Sequence, residues 1–413
     1  MEQIAATPQI RGWRDLLPFV LSELKPKGKR LFTPFNVISL PVMLLGAVLI
    51  VLRFATGLGS VTNLSQDFPW GLWIGFDVLI GVAFAGGAYI LCFILYILRA
   101  EKYHLIIRVT VLNGFLAYVF YSASLLLDLG RPWNAFNFII GNKFGFSSVL
   151  FLVAWHFLLY TIALFLEVSP AIAEWLGLRR IRKTLGALTL GAVIFGIMLS
   201  TGHQAGIGGL FLLAESKIHP LWYSEFLPLL FVLSSIFAGL SMVIFEGTIS
   251  HRVFSHQLEP AEHDTYNGIL IGLGRVCAGA LLVYFYMKVL ELIHGQHWAL
   301  LTTPMGYWYL LEVIGLVLVP SYLFLLGARN RRFGLIKAAA ILTMLGIFMN
   351  RLNVCIIAYK WYLPLSQRYI PSWMEVVVTL TVVFTEIWVI RWIINRMPIL
   401  RKPPAWAQEL ETH

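Results

Sequence analysis

The chain has 413 residues, of which 59% are hydrophobic and 13% charged, and its formal net charge is +10. Such a composition excludes a soluble globular protein. The lysines and arginines fall in short segments between apolar runs, a distribution that writes membrane topology, so the charge is not read as a nucleic-acid surface.

The first 35 residues form a polar, basic arm containing Pro18 and Pro26. No short apolar stretch with a cleavage site precedes the first long run, so that run is expected to be a true anchor. Ten runs are long enough to cross a bilayer: residues 36–57, 73–98, 105–127, 147–168, 183–202, 224–250, 267–292, 307–328, 335–358 and 373–395. The predicted fold is therefore all-α, a polytopic membrane domain over 36–396 followed by a tail over 397–413. Ten crossings return both termini to one side. When the connections are assigned to alternating sides, 22 lysines and arginines fall with the termini and 7 opposite, while Arg275 and Arg351 lie within spans. That asymmetry predicts cytoplasmic termini. The outward connections are the long ones, and Trp70, Trp73, Trp133, Trp222, Trp298, Trp308, Trp361 and Trp373 cluster at their boundary. Most of these tryptophans read as an interfacial belt.

The organising stretch is MLSTGHQAGIGGLFLLAESKIHPLWYSEF, residues 198–226. It is expected to end the fifth helix at His203 and Gln204, to loosen at Gly206 to Gly209, and to close with a turn from His219 to Glu225. A polar pair at the mouth of an apolar bundle reads as a binding site. Other ionisable residues share its depth: Asp77 one turn into the second helix, Asp128 ending the third with Arg131 just beyond, and Glu225 starting the sixth. Asp128 and Arg131 read equally well as a mutual ion pair closing a helix end. A deeper set comprises Glu167, Glu246, Arg275, Glu312, Glu386 and Arg351 with Asn350 and Asn353. These are either a proton relay or satisfied interhelical pairs.

Cys92, Cys277 and Cys355 lie in apolar runs without metal-ligand spacing, so no zinc or iron–sulfur site is expected. A membrane haem b needs two imidazoles at matching depth. Of ten histidines only His156 sits in the middle of a run, and it reads as a packed, hydrogen-bonded residue.

Several segments also resemble a known family. FPWGLWIGFDVLIG (68–81), LDLGRPWN (127–134), GHQAGIGGL (202–210), HPLWYSEFLPL (219–229) and VIFEGT (243–248) are similar to the NrfD-type integral membrane subunits. The likeness is to the ten-helix branch found in nickel–iron hydrogenases and menaquinone reductase complexes, and it covers about residues 35–396. It implies two four-helix bundles with flanking helices in a bacterial inner membrane, without haem or metal. It further implies a menaquinone site near the periplasmic face, where an iron–sulfur subunit docks and passes on electrons from a catalytic or multihaem cytochrome c partner. By motif match, Asp77, His203, Gln204 and Arg131 correspond to polar residues around the quinone pocket, with Asp128 beside them. Trp222 and Glu225 correspond to the surface under the partner, and Glu246 to an acidic residue of a proton path to which Glu167, Arg275 and Arg351 are candidate additions.

On this reading the chain is the quinone-reactive subunit of a multisubunit oxidoreductase. His203 donates a proton to a quinone carbonyl, Asp77 orients or reprotonates it, and Arg131 stabilises developing negative charge. A secondary transporter is the alternative from another class, and it calls for inverted repeats with paired broken helices at mid-membrane. A passive membrane anchor is the third.

Overall fold

The computed structural model describes residues 13–25, 32–141, 145–253, 260–400 and 404–408. Parts of the predicted arm and tail, the outward Lys143 and the loop histidine His256 lie outside them. Among the described residues ten helices have the length and apolarity to cross a membrane. They are α1 (Pro34–Thr56), α2 (Ile74–Ile97), α3 (Glu101–Asp128), α4 (Val149–Trp175), α5 (Arg179–Leu212), α6 (Leu227–Val253), α7 (Asp264–His294), α8 (Pro304–Arg329), α9 (Phe333–Ile357) and α10 (Trp373–Ile394). Among the described residues there is no strand, only an isolated bridge between Ile218 and Tyr359. The ten expected spans and the all-helical class are thus present.

Local sequence accounts for the helix ends. Thr33 caps α1 by accepting from the Asn36 N–H at 3.2 Å, with Pro34 in the first turn. Ser372 and Glu375 form a reciprocal capping box at the start of α10. Gly57 ends α1 at a φ of 98°, a backbone state that disfavours any side chain.

Helices α2 to α5 pack as one four-helix bundle and α6 to α9 as a second. α1 and α10 pair with each other and lean on α3. The bundles meet where α2 crosses α6, and small residues set the distance: a Cβ on Gly239 would stand 2.1 Å from the Gly87 nitrogen. Backbone contact of this kind is how helices adhere in lipid, where no hydrophobic force drives them together. At the end bearing Arg179, Arg180 and Arg182, here the basic end, Glu174 of α4 accepts from Arg108 of α3 and Arg182 of α5, each at 2.7 Å. That cluster ties three helices of the first bundle in register. An additional helix, Trp13–Glu23, lies at the same end, where the Trp392 indole and Arg396 donate to the Glu23 carbonyl. The opposite end, carrying the long connections, is the loop end.

One expectation is corrected here. α5 does not stop at His203 but continues for nine residues to Leu212. The glycines do not loosen it; they allow close approach. A Cβ on Gly208 would lie 2.6 Å from the Leu227 carbonyl of α6, and one on Gly206 2.8 Å from Val153 of α4. At 34 residues α5 is about 50 Å long, longer than the hydrocarbon core, so His203 is carried inside the bundle. Three spans also contain π-helical turns: Ile74–Gly81 around Asp77 and Phe93–Ile97 in α2, Leu311–Leu318 around Glu312 in α8, and Asn353–Ile357 in α9. Such turns re-aim side chains and are frequent at functional sites.

Candidate functional site

The first bundle encloses a cavity of about 660 Å³ at its loop end, bounded by α2 to α5 and by the short helical turns Pro132–Phe136 and Asn137–Ile140. Its wall is almost entirely hydrocarbon and aromatic, with Val119, Leu126, Val153, Phe157, Ile207 and Phe211 among the lining side chains. Among the described residues four polar ones face it: His203, Ser122, Arg131 and Asn134. This volume and lining fit a flat, mostly apolar ring system held by a few polar contacts.

His203 has no exposed surface. Its Nδ1 lies 3.3 Å from the Tyr118 hydroxyl, and its ring is held edge-on by Phe157 at 5.3 Å. Nε2 is buried with no partner side chain. An orphaned ring nitrogen beside an apolar cavity is free to hydrogen-bond an occupant or water. Arg131 is exposed at the rim. It forms no ion pair with Asp128, which instead lies within electrostatic range of Arg53 of α1 and Glu375 of α10.

The other candidates go elsewhere. Gln204 is buried and ties α5 to α2 by donating to the Val82 carbonyl at 3.2 Å. Asp77 is also buried, but it faces Ser124 and Asp128, away from the cavity. Helical geometry explains the split: Asn113, Tyr121, Ser124 and Asp128 share one face of α3, while cavity-lining Val119, Ser122, Ala123 and Leu126 share the opposite face. Along the first face, Asn113 donates to Glu246 of α6 at 2.5 Å, and Tyr121 lies within electrostatic range of Glu386, Asp77 and Glu246. The linear pattern did not assign these groups to faces.

Trp222 is corrected as well. Expected at the surface, it is 1% exposed and donates its indole N–H to Glu312 at 2.8 Å. Glu312 also accepts from Asn350 at 2.6 Å and Asn353 at 2.5 Å. Arg351 joins them through Asn350 at 2.8 Å, bonds Ser234 at 2.6 Å and stacks on Phe231. This knot pins the connection after α5 onto the second bundle. Each donor stripped of its buried acceptor would cost roughly 1–3 kcal/mol. Glu225 is exposed and lines a separate cavity of about 250 Å³ at the loop end with Glu215, Glu291, His294 and His297. Arg275 is exposed on the outside of α7. Glu167, Glu246 and Arg351 thus occupy the first bundle, the seam between bundles and the second bundle, and do not form one file.

The connection at 213–226 is itself ordered. His219 donates its backbone N–H to the Ala358 carbonyl at 2.9 Å, and its Nδ1 accepts from the Leu221 N–H at 3.2 Å. Burial, reinforced by nearby His297, pulls the imidazole down from 6.5 to about 4. An opened connection therefore binds a proton that the ordered one refuses. Its order is full above pH 6.5 and is lost progressively as pH falls toward 4. Hydrogen exchange corrected for intrinsic rate is expected to show the Leu221 and Trp222 amides losing protection between pH 7.5 and 5, with this dependence removed in His219→Gln. Constant protection over that interval in the native chain would contradict it.

Tyr118, Tyr160 and Ser200, all fully buried in the first bundle, were not anticipated. Mid-run phenols carried the only signal, since a buried tyrosine hydroxyl needs a partner.

Comparison with known proteins places these features in a family context. The family described as polysulphide reductase, NrfD, matches residues 60–362. A protein of Nitratidesulfovibrio vulgaris is 44% identical over 377 residues, covering 91% of this chain and 97% of that one. The probable Ni/Fe-hydrogenase 2 b-type cytochrome subunit of Escherichia coli is 31% identical, covering 92% and 96%. The integral membrane subunit of a menaquinone reductase from N. vulgaris is 28% identical, covering 78% and 80%.

Proposed function

Because the chain belongs to the NrfD family of integral membrane proteins, we propose that it is the quinone-reactive subunit of a respiratory oxidoreductase, taking electrons from an iron–sulfur partner docked at the loop end. The observation that carries this reading is the apolar cavity with the unpartnered His203 Nε2 in its wall. Relatives named as hydrogenase and menaquinone reductase subunits support it. The basic end then faces the cytoplasm and the loop end the periplasm of a bacterial inner membrane, in keeping with the charge asymmetry. Menaquinone is the substrate class, and catalytic or multihaem cytochrome c subunits complete the assembly.

The chain's own residues supply binding and protons. The hydrocarbon wall excludes water and accepts a naphthoquinone ring with its isoprenoid tail. His203 Nε2 hydrogen-bonds a ring carbonyl oxygen and delivers a proton there, while Tyr118 holds the imidazole through Nδ1. Arg131 offers positive charge at the rim. Asp77, Gln204 and Asp128 act at one remove, by fixing α2, α3 and α5 around the cavity. Glu225 and the surface over Trp222 lie under the partner. Glu167, Glu246 and Arg351 are the interior groups open to proton traffic, with Arg275 at the lipid boundary.

One relative's name includes a b-type cytochrome. In this chain the ring of His156 packs directly against Gly202, one residue before His203, and its Nδ1 is bonded to the Leu152 carbonyl at 2.7 Å. Those two imidazoles do not face each other across a porphyrin-sized gap.

The test is photolabelling of the purified complex with an azido-naphthoquinone. Adducts are expected on cavity residues of α3, α4 and α5, reduced by excess menaquinone, and the same preparation should lack stoichiometric haem b. Labelling confined to the second bundle, or a stoichiometric haem, would overturn the assignment.

A further inference from the structure

A file of polar groups crosses the interior of the first bundle below His203. Tyr160 and Glu167 are seven residues apart on one face of α4; Gly196, Ser200 and His203 share the facing side of α5. Tyr118 of α3 contacts the Tyr160 ring edge-on at 4.7 Å and reaches His203 Nδ1 at 3.3 Å. The Ser200 hydroxyl is adjacent to both phenols. At Gly196 the missing side chain leaves a gap flanked by Glu167 Oε1 and the Tyr160 ring, each 3.3 Å from where a Cβ would stand. The other Glu167 oxygen accepts from Cys92 at 3.2 Å.

Three members of this file carry buried polar atoms that, among the described residues, make no hydrogen bond of normal length: Tyr160 Oη, Ser200 Oγ and His203 Nε2. Hydrophobic packing alone has no use for them, and buried polar groups of this kind hold water. Glu167 lies eight residues, about 12 Å, from the basic end of α4. The rival carboxylates, Glu246 of α6 and Asp77 of α2, pack against the far face of α3 and do not line the cavity.

We propose that protons reach the cavity from the basic end of the first bundle along Glu167, Tyr160, Ser200, Tyr118 and His203, with water held between the hydroxyls. This rests on the quinone-site reading above. Reduction of the ring dicarbonyl to the dihydroxy product takes two electrons from the partner's iron–sulfur centre and two protons. Each proton leaves the Glu167 carboxyl, is handed on by hydroxyls that give one and regain one, and leaves Nε2 for a ring oxygen. Glu167 is recharged from water at the basic end. With electrons entering at the loop end, every turnover separates charge across the membrane.

The test uses the complex in sealed vesicles, with a soluble naphthoquinone as acceptor and a pH-sensitive dye on the basic-end side. Glu167→Gln, Tyr160→Phe and Ser200→Ala are expected to slow quinol formation on the order of 10²-fold, to increase its solvent isotope effect and to abolish proton uptake from that side. Azido-naphthoquinone labelling stays intact, which separates failure of the file from failure of the site. Tyr89→Phe, which removes an equally buried phenol bonded to Ser235 at 2.7 Å, keeps native turnover. Three results would overturn the proposal: native turnover in both Tyr160→Phe and Ser200→Ala, equal slowing in Tyr89→Phe, or uptake that depends on Glu246 and not on Glu167.

Discussion

Replacing His203 with alanine is expected to lower quinone reduction by roughly 10²- to 10⁴-fold, the range in which positioned proton donors contribute. Oxidation of the partner's own substrate with an artificial acceptor should be unchanged. Among the described residues the imidazole is the one titratable side chain lining the cavity apart from Arg131 at its rim. It is held on both sides, by Tyr118 at Nδ1 and by the Phe157 ring, so its Nε2 points in a single direction. Alanine removes that donor and enlarges a cavity already lined by hydrocarbon, so binding of an apolar ring should persist while turnover fails. The defect should therefore appear in kcat more than in KM. Retained turnover at native rate in an assembled complex would remove His203 from the chemistry.

The largest structural effect is expected at the crossing of the two bundles. Gly239→Ala places a methyl 2.1 Å from the Gly87 nitrogen and 2.6 Å from the Gly86 carbonyl carbon. Both contacts are to backbone, so no rotamer change relieves them, and α2 and α6 must separate. Overpacking of this kind costs about 3 kcal/mol, and here it also loosens contacts along both helices. Gly191→Ala is the matched control, because a Cβ there meets nothing within 4 Å and alanine favours a helix over glycine. Size-exclusion profiles after heating should show Gly239→Ala aggregating well below the native chain and Gly191→Ala unchanged or slightly more stable. Native thermal behaviour in Gly239→Ala would contradict the packing argument.

Why some of this was legible beforehand follows from what a linear pattern encodes. Hydrophobic length is a one-dimensional quantity, so the ten spans could be read directly. Facing is not. Asp77 and His203 were expected together, yet a π-helical turn and the opposite faces of α3 send them to different compartments. The run from Gly206 to Gly209 looked like a helix break because glycine weakens an isolated helix. In the bundle the same residues admit the Leu227 carbonyl and Val153, and tertiary packing overrides propensity. Trp222 looked like a belt residue, and its burial depends on Glu312, ninety positions away. Tyr160 and Ser200 had no distinguishing pattern, since hydroxyls in an apolar run acquire meaning only from what stands opposite them.

The placement of α1 and α10 against the face of α3 turned from the cavity has a practical corollary for assembly. On the proposed quinone reading, the cavity opens on one flank of the protein, and the accessory pair occupies the other. A larger complex can therefore grow sideways over α1 and α10, or dimerise there, without closing the route by which a membrane-dissolved carrier comes and goes.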